Sequence, residues 1–331
     1  MSNGFKQILL AVRDVDELRP ALLRKVAALA GSARTRIEVY HAIAESVVLV
    51  PPRIGRVDFN YKSVLATSVS RSTAKLERKV AQAKLKGVVV SCRVEWDYPA
   101  FEAVLRRAAA TKADLVVAVV HKHLPTARVF LRNVDWELIR NCPVPLLLVK
   151  STRPYRRPGV LVAVDPLHAA DKPARLDRLL LAAGSRVATA LRGNVQMVHS
   201  WQPLSVAVPP MPGMPGPLWV PQDAEDQHSK TIEKAFSQLA IAAKVPPNRR
   251  HLLMGSVADA FSSAVRRSRA QVMVMGAISR RGVARLLIGN TAERMLDQLP
   301  CDVLVVKPLR FKNRISRKPR GPTVGSMVLP L

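Results

Sequence analysis

Residues 113–150, ADLVVAVVHKHLPTARVFLRNVDWELIRNCPVPLLLVK, align without a gap against residues 270–307, AQVMVMGAISRRGVARLLIGNTAERMLDQLPCDVLVVK. In this register Val119 faces Gly276, Asn133 faces Asn290 and Pro143 faces Pro300. LLLVK of the first copy faces VLVVK of the second. Each copy opens on a short aliphatic run and closes on another, the pattern of strands buried on both faces. Self-similarity over a strand, a loop, a helix and a strand marks a duplicated domain, and the period is far too long for a solenoid.

The duplication extends toward the N-terminus of each half. QILLAVRD at 7–14 corresponds to GVLVAVDP at 159–166, and IEVYHA at 37–42 to VQMVHSW at 195–201; FEAVLRRA at 101–108 corresponds to FSSAVRRS at 261–268. Each half reads β-α-β-loop-α-β-α-β-α-β. Strands alternating with helices imply parallel βαβ units with right-handed crossovers. The expectation is α/β, two tandem doubly wound parallel sheets of five strands. Residues 1–150 form the first domain and 151–156, where prolines and arginines break the pattern, form a linker. The second domain runs over 157–308. Residues 309–331, rich in Arg, Lys, Gly and Pro, are expected to be a basic disordered tail.

Composition bounds the chemistry. The 331 residues suit two domains. Aromatics are only 5 %, so aliphatic side chains and alanine must fill the cores. The three cysteines are widely spaced and form no CxxC, so they read as reduced thiols rather than a disulfide framework or a zinc site. The first residues are too briefly apolar for a secretory signal, and no apolar run approaches the ~20 residues that span a bilayer. A cytoplasmic protein is expected. A net charge of +28 makes the surface attractive to anions, with RNA, ribosomes or another polyanion as candidate partners and the tail as one candidate contact.

The stretch able to carry chemistry is MVMGAISRRGVARLLIGNTAERML, 273–296. A buried strand ends at Met275, a glycine-bearing turn follows, and Gly289, Asn290 and Thr291 precede a helical run. In a doubly wound sheet ligands bind beyond the carboxyl ends of strands. Gly276 would allow close approach of the backbone, and the helix start directs free N–H groups toward the same space. The first copy has no glycine in this stretch. Val119, Lys122 and Arg132 stand opposite Gly276, Ser279 and Gly289, and Arg13 stands opposite Asp165.

These residues resemble the universal stress protein family. Its nucleotide-binding members carry a glycine, two residues, a glycine, nine residues, then glycine and serine or threonine. Gly276 and Gly289 fill the first and third positions, while Ser279 replaces the second glycine and Asn290 the serine or threonine. Gly282 matches a further glycine common in the family, and the tandem arrangement with GNTAE is most similar to E-type tandem members. The resemblance implies a fold of the adenine-nucleotide α-hydrolase type and pairing of the two halves into an intramolecular pseudo-dimer. It implies Asp165 as the first-strand contact to a nucleoside, His199 and Ser200 near the second-strand contact, and Ser279, Gly282, Gly289, Asn290 and Thr291 around a phosphate. ATP or another phosphate-bearing ligand is the implied occupant of the second copy. The first copy is expected to have lost it.

Two apolar, proline-containing loops, 47–59 and 203–222, follow equivalent strands. They either pack on the surface or line an apolar groove for an anionic amphiphile, with Met211, Met214, Leu218 and Trp219 as lining. His121 and His123 have no acidic or cysteine partner nearby, so a solvated loop is expected rather than a metal site. No nucleophile elbow, Walker A loop or HExxH occurs, and the carboxylates show no paired spacing; the expectation is a non-catalytic binding protein.

Overall fold

The computed structural model describes residues 4–31, 34–44, 47–49, 61–120, 133–167, 176–204, 220–277, 296, 298–313, 315–321 and 324–326. They fall into two units, 4–154 together with 312–326, and 155–311.

In the first unit the order is β1 (Gln7–Ala11), α1 (Pro20–Ala27), β2 (Arg36–Ile43), β3 (Val47–Leu49), α2 (Tyr61–Ala83), β4 (Val89–Trp96), α3 (Ala100–Ala110), β5 (Leu115–Val119), α4 (Asn133–Asn141) and β6 (Leu146–Val149). The main sheet has strand order β4-β2-β1-β5-β6, with every described register parallel. In the second unit β7 (Gly159–Ala163), α5 (Leu176–Ala190), β8 (Asn194–Trp201), α6 (Gln222–Ala242), β9 (Arg250–Met254), α7 (Val257–Ser268), β10 (Ala270–Gly276) and β11 (Asp302–Val306) follow. Here the order is β11-β10-β7-β8-β9, again parallel. Both units therefore place their first strand between the second and the fourth. The five main-sheet strands per copy, and the described helices between them, are as the repeated sequence predicts.

Burial follows position in the sheet. All four residues of β6 and all five of β7 and β11 are buried, because helices cover both faces of a parallel sheet. The edge strands β4 and β9 retain exposed residues. Ile8, Leu9, Leu10, Leu115 and Val116 fill the first core, and Val160, Leu161, Val162, Met273 and Val274 the second. Helix α5 lies so close to its sheet that a Cβ on Gly184 would stand 2.5 Å from Val162 Cγ2.

Charged groups inside the first unit are paired. Arg107 grips Glu38 with Nη2–Oε2 at 2.8 Å, and Arg106 donates to both oxygens of Asp97 at 2.7 and 2.8 Å and to Glu102 at 2.9 Å. Burial opposes the Arg106 charge, but its bonds to Asp97 and Glu102 outweigh that and raise its pKa. In the second unit Tyr155 donates to Asp302 Oδ2 at 2.6 Å, and burial followed by that carboxylate pushes the phenol well up.

Within the stretch expected to be a disordered tail, residues 315–321 have specific partners in the first unit. Arg106 donates to Ser316 O at 3.3 Å, the Arg320 N–H to Asp97 Oδ1 at 2.9 Å, and Arg320 Nη2 to Glu102 Oε1 at 3.3 Å. A buried Asp97 beside half-buried Glu102 in a cationic protein gives a basic segment a place to dock. Beyond it β12 (Val324–Ser326) pairs in parallel with β3.

Helix ends hold an unexpected regularity. Among the described residues six non-glycine residues have positive φ, and all six are basic: Lys84, Lys112, Arg157, Arg192, Lys244 and Arg269, at φ between 43° and 55°. Five of them follow the C-termini of α2, α3, α5, α6 and α7. Glycine is the usual occupant of this position, and a side chain there costs on the order of 1 kcal/mol.

Candidate functional site

A sheet whose first strand lies between its second and fourth has a switch point, where chain connections leave the carboxyl ends in opposite directions and open a crevice. In the second unit this is the gap between β7 and β10. Asp165 stands two residues beyond β7, Gly276 ends β10, and His199 and Ser200 lie near the end of β8. The β7–β8 register pairs Ala163 with Val198, so its continuation sets Asp165 level with Ser200. The fold thus gathers Asp165, His199, Ser200 and Gly276 at one end of the sheet. Ser279, Gly282, Gly289, Asn290 and Thr291 lie outside the described residues, as do His121, His123, residues 50–59 of the first apolar loop and 205–219 of the second.

Asp165 is buried, and its main-chain N–H donates to Asp177 Oδ2 at 3.1 Å. Asp177, 2 % exposed, sits in the first turn of α5, where the helix dipole favours a negative charge. It ties the loop after β7 to the helix behind it. Asp177 had no motif to reveal it; the signal in the sequence was an acidic residue at the start of a helical run.

His199 is fixed twice. Its Nδ1 lies 2.9 Å from Val164 O, and its ring stacks on Phe236 of α6 with centroids 6.4 Å apart. A carbonyl only accepts, so Nδ1 carries the proton, and in a neutral ring that leaves Nε2 as the acceptor. His41 makes the same bond to Val12 O at 2.9 Å. The matched histidines therefore share a structural task, fastening the second strand to the loop after the first. Phe236 is a further residue that sequence reasoning missed.

Gly276 is accounted for by packing. A Cβ there would lie 2.8 Å from Leu176 Cδ2 and 3.8 Å from Leu180 Cδ1, so the missing side chain leaves room for α5. Gly255 has φ of +129° at the turn after β9, and Ser256 caps α7 by accepting from the Asp259 N–H at 3.3 Å. Both residues therefore serve the strand-to-helix turn that their sequence suggests.

The first unit presents different chemistry at its equivalent end. Arg13 is exposed where Asp165 is buried, and half-buried Val119 stands where Gly276 ends its strand. Among the described residues no group of three His, Cys, Asp or Glu side chains is arranged to hold a metal ion. No described helix is long and apolar enough to cross a membrane.

Comparison with known proteins agrees with this fold. Residues 4–150 and 159–307 each match the universal stress protein family. Universal stress protein E of Photorhabdus laumondii is 24 % identical over 320 residues, covering 94 % of this chain and 98 % of its own. Universal stress protein E of Escherichia coli is 25 % identical over 324 residues, covering 94 % and 96 %. A Pseudomonas aeruginosa structure assigned to the universal stress proteins superposes with a TM-score of 0.67 at 20 % identity, over 93 % of this chain and 95 % of that one. One from Archaeoglobus fulgidus gives 0.58 at 14 %, over 93 % and 99 %. With two family domains in tandem filling nearly its whole length, this chain belongs to the universal stress protein family.

Proposed function

We propose that this protein is a non-catalytic, cytoplasmic stress-response binding protein whose second domain holds a phosphate-bearing ligand in the crevice between β7 and β10. The observation that carries the reading is the asymmetry of the two crevices. The second has a buried aspartate and a glycine strand end, whereas the first has exposed Arg13 and half-buried Val119; His199 and His41 are matched. The buried carboxylates of Asp165 and Asp177 suit the hydroxyl-bearing part of a ligand, since an ionised carboxylate only accepts hydrogen bonds. They repel a phosphate, which belongs instead with the arginine-rich stretch that contains Gly282, Gly289 and Asn290. A ligand with hydroxyls at one end and phosphate at the other satisfies both, and a nucleotide such as ATP is the simplest of that kind.

Equilibrium dialysis with ATP, ADP and a nucleotide-sugar, on the native chain and on Asp165→Ala and Gly289→Arg, tests the reading. Retention by the native protein with at least tenfold weakening in both variants is expected. Equal retention by all three proteins removes the crevice from consideration.

A further inference from the structure

The opposite edge of the second unit's sheet carries a different kind of surface. Strands β7, β8, β9 and β10 are parallel, so the residues just before them share one edge. Those residues, together with the last turns of the helices leading in, fall in segments 155–159, 186–194, 240–251 and 265–271. The four segments contain nine arginines, one lysine and no aspartate or glutamate. The carboxylate opening β11 on the same edge, Asp302, is 2 % exposed and engaged by Tyr155. Arg157, Arg192, Lys244 and Arg269 are exposed.

Folding does not account for these four. Each holds a positive φ, between 43° and 55°, where glycine is the favoured residue. A cation gains something from the carboxyl end of a helix, but Lys or Arg one turn earlier obtains that without the backbone strain, as Arg266 and Arg267 do in α7. Positions that repeatedly accept strain to display a positive charge point to a use for the charge. Beside Lys244 an open recess of about 290 Å³, lined by Ser185, Thr189, Asn194, Lys244 and Arg249, offers hydroxyl and amide groups next to two cations.

We propose that this edge, running along the starts of β10, β7, β8 and β9, binds the phosphate backbone of nucleic acid. Strands lie about 4.8 Å apart, so the row from Arg269 through Arg157 and Arg192 to Lys244 spans roughly 14 Å, near the length of four base pairs. Arginine predominates, and its planar fork matches phosphate oxygens better than lysine does. The one large apolar side chain exposed near this edge is Ile241, too little for insertion into a lipid surface. The edge lies at the far end of the sheet from the β7–β10 crevice, so either function survives loss of the other.

The test is fluorescence anisotropy of a labelled 20-base-pair RNA or DNA duplex with the full chain, between 50 and 200 mM salt. Three variants are compared, two altering four residues and one altering three. Arg157, Arg192, Lys244 and Arg269 are changed to glycine in the first and, where not already lysine, to lysine in the second. Arg310, Lys312, Arg317 and Lys318 of the tail are changed to glutamine in the third. The glycine variant is expected to keep or raise its Tm, to bind duplex at least tenfold more weakly, and to lose about three to four from its log–log salt slope. The lysine and tail variants should stay within a few-fold of the native protein. An unchanged slope in the glycine variant overturns the proposal, as does an equal loss in the tail variant. Binding to phosphatidylglycerol vesicles but to neither duplex also overturns it.

Discussion

The main-chain N–H of Arg320 donates to Asp97 Oδ1 at 2.9 Å, joining residues 223 positions apart. Asp97 is already gripped by Arg106, and the same guanidinium reaches Ser316 O and Glu102. One buried arginine thus organises two carboxylates, and the carboxylates in turn hold the chain end against the first domain. Truncation after Phe311 is expected to lower the stability of that domain by about 1–3 kcal/mol, the usual worth of hydrogen bonds to charged groups. Arg106→Ala should cost more, about 3–5 kcal/mol, because it leaves the buried Asp97 carboxylate without its guanidinium partner. Urea denaturation of the three proteins checks both figures. A truncated chain as stable as the full one would show that the docked segment contributes nothing.

Much of the fold was readable because duplication supplies an internal control. Two unlike sequences that keep the same alternation of aliphatic runs and helical stretches report the fold that both satisfy, and parallel pairing follows from βαβ logic. The docking of Ser316 and Arg320 was not readable, because it depends on a pair of carboxylates that no sequence pattern links to the tail. The crevice was legible at its strand ends: Asp165, His199 and Gly276 come together as their register predicts. Their roles were less so. That Gly276 makes room for Leu176, and that His199 repeats the bond of His41, are facts of packing that spacing does not carry. Positive φ at Lys244 or Arg269 was hidden too, since the propensity rules lead one to look for glycine or asparagine at those turns.

Gly184 tests how tightly α5 is seated. In an exposed helix Ala in place of Gly gains up to ~1 kcal/mol. Here the new methyl would meet Val162 Cγ2 at 2.5 Å, and a β-branched side chain on a buried strand has little freedom to turn away. Gly184→Ala is expected to destabilise the second domain by about 1–3 kcal/mol. Adding Val162→Ala should restore part of that loss, giving a double-mutant cycle whose coupling energy has the sign of a relieved clash. Independent, additive losses would place the strain elsewhere.

Cys92, on the edge strand β4, is half-buried, and burial together with Glu77 and Glu38 pushes its thiol up to about 11. Only the thiolate is nucleophilic. Alkylation of the native chain by iodoacetamide at pH 8 should therefore be at least tenfold slower at Cys92 than in the urea-unfolded chain, and should accelerate as pH rises toward 11. Peptide mapping by mass spectrometry separates it from buried Cys142 and Cys301. A Cys92 rate equal to that of the unfolded chain at pH 8 would contradict the raised pKa.

His251, on β9, supplies the pH dependence. Burial, and then the charge of Arg267, lower its pKa, and its Nε2 lies 2.8 Å from Gln196 Oε1. The folded protein thus holds this proton less tightly than the unfolded chain, whose histidine titrates near 6.5. Below that value the unfolded state binds more protons, so the stability His251 contributes is complete above about 6.5 and is lost as pH falls through the lower folded value. The imidazole C–H resonance of His251 should titrate with a midpoint below 6.5. In His251→Gln the decline in stability between pH 7 and 5 should be shallower than in the native protein. A midpoint above 6.5 would mean that Arg267 and burial are outweighed by an anion on this side of the sheet. Repeating the titration with duplex RNA present would then raise the midpoint further if phosphate binds beside β9, and leave it unmoved if it does not.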